Sequence, residues 1–245
     1  MENDNSKVMV AAAVVAAVVG AGVYGYRSLN TPAPAPGLSS PAHEPEAPPP
    51  SHLPPLESID AFVRGKAASL SPSPLVAEWL KQENLLERLT AATAMLARGK
   101  IPRDALSFLA PRGSFAVIRR GGKTFVDPKS WARYDAAAEA AASIDAVAAV
   151  ALFTEVEPLL KQAWRGVGDG RGEPRSALRG ALEDLIAAPV PAETTELRSG
   201  KKGIGWAYAD ESLEKLGPAR KQLMRMGPKN QAKVRAKLEA LLKAL

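Results

Sequence analysis

PLVAEWLKQENLLERLTAATAMLARG, running from Pro74 to Gly99, decides the class of this chain. Leu75, Trp79, Leu80, Leu86, Leu89, Met95 and Leu96 recur there at the spacing that lines one face of an α-helix. Gly99 and Pro102 then supply a stop. Further on, Ser130 to Ala149 is rich in Ala and poor in breakers, and Val150 to Trp164 continues the helical pattern. Pro158 is expected to begin a new turn or to kink that element, because its ring removes a backbone donor. Gly166 to Gly172 reads as a loop, and Arg175 to Ala188 as a helix closed by Pro189 and Pro191. Leu213 to Leu216, Ala219 to Met226 and Asn230 to Leu245 read as helical pieces parted by Gly217-Pro218 and Gly227-Pro228. In the last of them Val234, Leu238, Leu241, Leu242 and Leu245 make one apolar face. Ser114 to Asp127 is the exception: Phe115-Ala-Val117-Ile118 and Thr124-Phe125-Val126 flank Arg119-Arg120-Gly121-Gly122-Lys123, a β-hairpin with a Gly-Gly turn. Ile204 to Ala209 has the composition of a short strand.

The N-terminal part has a different character. Val8 to Tyr26 holds nineteen residues without a charge, which as a helix spans roughly 28 Å, close to the ~30 Å hydrocarbon core of a bilayer. Ten prolines follow between Arg27 and Pro55, in a segment with too little apolar surface to bury a core. Extended as polyproline II, that segment reaches at most roughly 90 Å. The reading is a membrane anchor on a stalk: residues 1–26 a short tail and transmembrane helix, 27–55 a Pro/Ala-rich linker, 56–245 a helical domain. The alternative is a cleaved signal peptide, against which stand Glu2 and Asp4 in the n-region and the length of the apolar run. Ala12, Ala16 and Gly20, with a second row at Ala13, Ala17, Ala21 and Gly25, give the small-xxx-small spacing of membrane helices that approach closely. Self-association of the anchor is the functional reading, and chance in an Ala-rich run the bland one. Lys7 and Arg27 nearly cancel in the positive-inside rule, and the stalk favours a domain held outside the membrane.

Chemistry is defined largely by what is missing. The chain has no Cys, and its two histidines, His43 and His52, sit in the linker. The domain therefore has no Cys nucleophile, no His general base and no usual zinc ligand set. No cofactor or metal is expected. Gly122-Lys123-Thr124 imitates a phosphate loop, but Val117 stands where the first Gly belongs. Gly166, Gly168, Gly170 and Gly172 fail the dinucleotide fingerprint at Arg171 and follow a helix. Ser212-Leu-Glu-Lys215 matches S-x-x-K without its companion motifs, and Ser212 is better read as a helix N-cap. Carboxylates alone can run glycoside cleavage, and Glu155, Glu157, Asp135 and Asp145 are candidates whose spacing does not set them apart from solvated charges.

Charge is uneven. Lys201 to Leu245 holds eleven basic residues against four acidic, and contributes more than the whole net charge of +6. Lys229, Lys233 and Lys237 repeat every fourth residue on the last helix, while Arg220, Lys221 and Arg225 lie on the one before. These six are the candidate contacts for an anionic ligand or partner. A solvated face opposite the leucines is the plain alternative.

Leu53-Pro-Pro-Leu56-Glu57-Ser58-Ile-Asp60, Leu96-Ala-Arg98-Gly99, Arg133-Tyr134-Asp135, Pro158-Leu-Leu160, Leu213-Glu-Lys-Leu216 and Lys221-Gln-Leu-Met-Arg225-Met-Gly227-Pro228-Lys-Asn230 together resemble the bacterial family catalogued as domain of unknown function 3014. The C-terminal motif is the specific part, and the likeness covers most of Leu53 to Leu238. Thr93-Ala-Met95, where that family has a more polar Asp-Asn pair, and the Gly-rich loop after Trp164 depart from it. The resemblance implies a single-span envelope protein and supplies no activity. On physical grounds, Arg133, Tyr134 and Asp135 fan over different sides of a helix, so a cap by Arg133 or Asp135 with Tyr134 packed inside is expected. Gly227 is expected to close one helix and Pro228 to start the next, with the Met side chains buried and Asn230 structural.

The expected molecule is mainly α: a single-span N-terminal membrane helix, a Pro-rich linker, and a helical globular domain with one small β-hairpin. Its expected place is the inner membrane, single-pass, with the C-terminal domain in the periplasm. Its expected role is a non-enzymatic binding or scaffolding module that meets an envelope protein or an anionic polymer. The rival is a carboxylate-dependent cell-wall glycan hydrolase. Nucleic acid is a partner only if the anchor is inverted and the domain faces the cytoplasm.

Overall fold

The computed structural model describes residues 53–103, 105, 111, 113–167, 172–200 and 205–245. The anchor reading at Val8 to Tyr26, its small-residue rows and linker residues 27–52 lie outside the described residues.

After a 3-10 turn at Leu56–Ser58 come α1 (Asp60–Ala67), α2 (Pro74–Trp79) and α3 (Leu85–Ala97). The Pro74 to Gly99 pattern is thus two helices. The chain breaks at Asn84, which adopts a left-handed conformation with φ of 54°. Asp60, on α1, supplies the cap that Asn84 cannot: its carboxylate accepts from Asn84 N–H and, at 2.7 Å, from Leu85 N–H. Orphan amides at a helix start are thereby satisfied by a residue from another helix.

Strands β1 (Val117–Arg120) and β2 (Lys123–Val126) form the expected hairpin, with Gly121 and Gly122 at φ of 55° and 76°, the positive angles a two-residue turn demands. Helices α4 (Pro128–Ala132), α5 (Asp135–Ala142), α6 (Ala146–Trp164) and α7 (Pro174–Ile186) follow. The Ala-rich run from Ser130 is therefore three helices. Its corners are fixed by burial of Tyr134 and Ile144, by the Asp145 amide bonding Leu70 O at 2.8 Å, and by the Asp145 carboxylate capping Val147 and Ala148 at 2.9 Å. Pro158 lies inside α6 and does not open a new segment. Burial of Leu152, Phe153 and Val156 before it and Leu160 and Trp164 after it outweighs a penalty of about 3 kcal/mol.

Strands β3 (Glu196–Ser199) and β4 (Trp206–Tyr208) follow, then α8 (Glu211–Glu214), α9 (Pro218–Arg225) and α10 (Gly227–Ala244). The expectation of one hairpin is corrected. The strands make a four-stranded antiparallel sheet, order β1-β2-β3-β4, with Thr124 opposite Leu197 and Leu197 opposite Tyr208. The expected strand at 204–209 is β4, narrowed to three residues. Ser212 is not the cap of α8: Asp210 is, accepting from both N–H and Oγ of Ser212 at 2.7 Å.

Two cores result. The larger joins the helices, with α10 against α5, α6 and α7, and α3 against α6 and α7. Val234, Leu238 and Leu241 are fully buried, as the last helix's apolar face predicts. Ala137, Ala138, Ala140 and Ala141 are buried on α5, and side chains this small let α10 approach it closely. The smaller core holds Leu197, Tyr208 and Met224, with Phe115, Val117, Val126, Trp206, Leu213 and Leu216 around them, and fastens the sheet to α9. Among the described residues no single helix is long and apolar enough to cross a membrane; α5 and α6 pass together by length and composition but meet at a 70° bend.

Candidate functional site

The motif residues fall into two places. One is a joint in the core. Gly227 has φ of 79°, and a Cβ there would stand 2.4 Å from Trp131 Cγ, so only glycine permits the α9–α10 corner to seat on α4. Asn230, buried, donates to Trp131 O at 3.0 Å and to Asp135 Oδ1 at 2.8 Å. Arg133 donates to Ser130 O at 3.2 Å and Gly113 O at 2.7 Å, while Tyr134 is buried. Met224 and Met226 are buried as expected. These residues hold α4, α5 and α10 together.

The other place is an open cleft of about 760 Å³. Its walls are Ala97, Arg98 and Gly99 at the end of α3, Ser176, Ala177, Gly180 and Asp184 along α7, and Lys215, Leu216, Gly217 and Arg220 from the α8–α9 connection. Gly99, in the left-handed region at φ of 65°, ends α3 and turns its carbonyl to the Ala219 amide at 3.2 Å. That bond fixes the mouth of α9 against α3. A Cβ on Gly180 would meet nothing within 4 Å, so the glycine leaves the α7 wall low without being needed for packing.

Charge in the cleft is mostly positive. Arg220 donates through Nε to Asp184 Oδ1 at 2.9 Å and through Nη2 to the same oxygen. Lys215 pairs with Glu211 at 3.1 Å, both side chains more than three-quarters exposed, an ion pair worth at most about 1 kcal/mol and easily exchanged for another anion. Arg98 stands at the C-cap of α3.

The remaining candidate cations are distributed otherwise. Lys221 is largely covered and donates to Glu214 Oε1 at 2.7 Å and Glu214 O at 2.8 Å. Burial pushes the Glu214 carboxyl up, but the Lys221 ammonium, the Tyr208 amide and the Arg225 charge together bring it below the ordinary value. Arg225 is half-buried beside Tyr208, whose phenol burial pushes up to about 12. Lys233 reaches Glu139, and Lys237 donates to Ile144 O, just past the end of α5. Lys229 is exposed. The six candidate cations are thus divided: Arg220 enters the cleft, Lys221 and Lys237 brace helix ends, and Lys233 ties α10 to the middle of α5.

The candidate carboxylates are each engaged within the fold. Glu155 holds Lys66 at 2.9 Å, Asp145 caps α6, and Asp135 accepts from Asn230. Glu157 accepts from Arg175 at 2.7 Å, and that hydrogen bond holds its carboxyl below the usual range. Among the described residues no three His, Cys, Asp or Glu side chains gather as a metal site requires. Reading along the chain missed Ser176, Gly180 and Asp184 of the cleft. The signal that could have found them is Gly180 itself, a glycine in the interior of a strong helix, where it costs about 1 kcal/mol relative to Ala and asks for a reason.

No curated protein and no solved structure matches the chain. A family model does match it, over residues 85–242, a span that takes in every wall of the cleft and the whole core joint. The chain belongs to the family described as protein of unknown function (DUF3014).

Proposed function

We propose that this is a membrane-anchored envelope protein whose periplasmic domain is a non-enzymatic binding module, and that the cleft between α3, α7 and the α8–α9 connection is where it takes its ligand. The observation that carries the reading is the cleft's lining. Small residues (Ala97, Gly99, Ala177, Gly180 and Gly217) leave room for an extended chain, and Arg98, Lys215 and Arg220 offer cationic donors against the single carboxylate Asp184. Guanidinium groups suit planar carboxylates, so the ligand class is an extended, carboxylate-bearing polymer such as the peptide-substituted glycan of a cell wall. Asp184 is the one carboxylate among the cleft's walls, whereas glycoside cleavage ordinarily uses a pair.

The test is hydrogen–deuterium exchange of the full-length protein in detergent with soluble glycan-peptide fragments of cell wall. The reading requires slowed exchange at Ala97 to Gly99, Ser176 to Asp184 and Lys215 to Arg220, with the fragments recovered intact. Shortened fragments would favour the hydrolase instead, and unchanged exchange across the cleft would remove it as the ligand seat.

A further inference from the structure

The sheet carries a second basic surface, which the C-terminal charge pattern did not announce. Its strands hold the cations Arg119, Arg120, Lys123 and Arg198 and a single carboxylate, Glu196. Arg120 pairs across with Lys123, Thr124 with Leu197, and Arg198 with Ala207. Continuing that register one step sets Lys123 level with Arg198. Arg120, Lys123 and Arg198 therefore stand abreast on one face, each about 4.8 Å from the next strand's residue, at the end of the sheet that carries the Gly121-Gly122 turn. All three are exposed, and among the described residues Lys123 alone of them bonds a carboxylate, Glu196, at 2.7 Å. Like charges placed directly across strands destabilise a sheet; a counter-anion outside the molecule would relieve them.

One step further from the tip, on the same face, lies the cross-strand row Ile118, Phe125 and Glu196, whose carboxylate is already held by Lys123. Ile118 and Phe125 are half-buried and join neither hydrophobic core, which take Val117, Val126, Leu197 and Tyr208 from the opposite face. A row of cations beside an apolar pair is complementary to anionic headgroups over acyl chains. A soluble polyanion would answer the cations and leave Ile118 and Phe125 unused. We infer that this sheet face docks on a membrane surface bearing anionic phospholipid, with Arg120, Lys123 and Arg198 at the phosphates and Ile118 and Phe125 at the acyl boundary. The inference rests on the anchored reading only for keeping a bilayer within reach, and uses none of the cleft.

The test uses the full-length chain, whose lack of cysteine makes Ile118→Cys a unique labelling position, with Phe125→Cys as a second should the first disturb folding. An environment-sensitive dye at either position should shift to the blue and be quenched by spin-labelled lipid in vesicles of phosphatidylglycerol and phosphatidylcholine, and do neither in phosphatidylcholine alone. Arg120→Glu, Lys123→Glu and Arg198→Glu together should weaken that docking by roughly a hundredfold, at about 1 kcal/mol for each cation removed, while flotation of the protein with the vesicles stays unchanged. The inference is overturned if the dye responds equally in both lipids, if the response survives the triple reversal, or if soluble polyphosphate produces it without lipid. Failure of the protein to float with phosphatidylcholine vesicles would count against the anchor, and the dye would still report on the sheet face.

Discussion

Three glycines separate packing from function at the scale of single residues. Gly227 is required by both angle and space: an L-residue in its left-handed conformation loses about 1 to 2 kcal/mol, and its Cβ would run into Trp131, with overpacking adding about 1 to 3 kcal/mol. Gly227→Ala should therefore lose about 3 kcal/mol in urea unfolding, enough to populate unfolded chain in a domain of ordinary stability. Gly180 is the opposite case. Nothing meets its Cβ, so Gly180→Ala should raise stability by up to about 1 kcal/mol through helix propensity. Gly99 ends α3 in the left-handed region, and its carbonyl is the one that Ala219 uses. Two glutamates give opposite pH behaviour. Glu214 is held below its ordinary value of 4.5, so its contribution to stability is complete above about that value and fades as pH falls through the lower folded-state value. Glu87 is raised from 4.5 chiefly by burial, with Asp60 and Glu57 adding to it, and its Oε2 is buried without a partner. Its folded form holds its proton longer than the unfolded one, so it detracts from stability as pH rises. Glu87→Gln should flatten that part of a stability profile measured from pH 4 to 7, and Glu214→Gln should remove the acid-side loss.

Elements were legible where one local pattern governed them. The Gly121-Gly122 hairpin, the Leu face of α10 and the Gly227-Pro228 corner follow from turn chemistry and periodicity, and stand where expected. Those set by distant partners were not legible. Strand β3 is four residues, Glu-Leu-Arg-Ser, with no alternation to mark it; it is a strand because Leu197 lies between Thr124 and Tyr208 and fills the smaller core. The break at Asn84 is invisible without Asp60, which lies 24 residues earlier and supplies the cap. Asp60→Ala should lose about 1 to 2 kcal/mol, the range for a lost helix cap, although it lies on a different helix. The cleft was half legible: its α3 and α8–α9 walls carry recognisable motifs, whereas its α7 wall consists of Ser, Ala, Gly and Asp positions that resemble any solvated helix face.

For the whole molecule, the same architecture that joins the sheet to the helices also builds the cleft. Leu197, Tyr208 and Met224 fasten the sheet to α9, and Ala219, at the start of α9, bonds Gly99 at the end of α3. The cleft therefore opens between elements whose relative positions are fixed from both sides, as a preformed ligand seat requires. Leu197→Ala should lose about 2 to 4 kcal/mol of stability and loosen the α8–α9 wall along with the sheet, visible as faster exchange at Lys215 to Arg220. The most direct test of the cleft is Gly180→Leu in the full-length protein, read by melting and by exchange protection with cell-wall glycan-peptide fragments. The variant should melt at or above the temperature of the native chain and show no protection at Ala97 to Gly99 or Lys215 to Arg220. Native-level protection in a folded Gly180→Leu variant would contradict the cleft as the ligand seat.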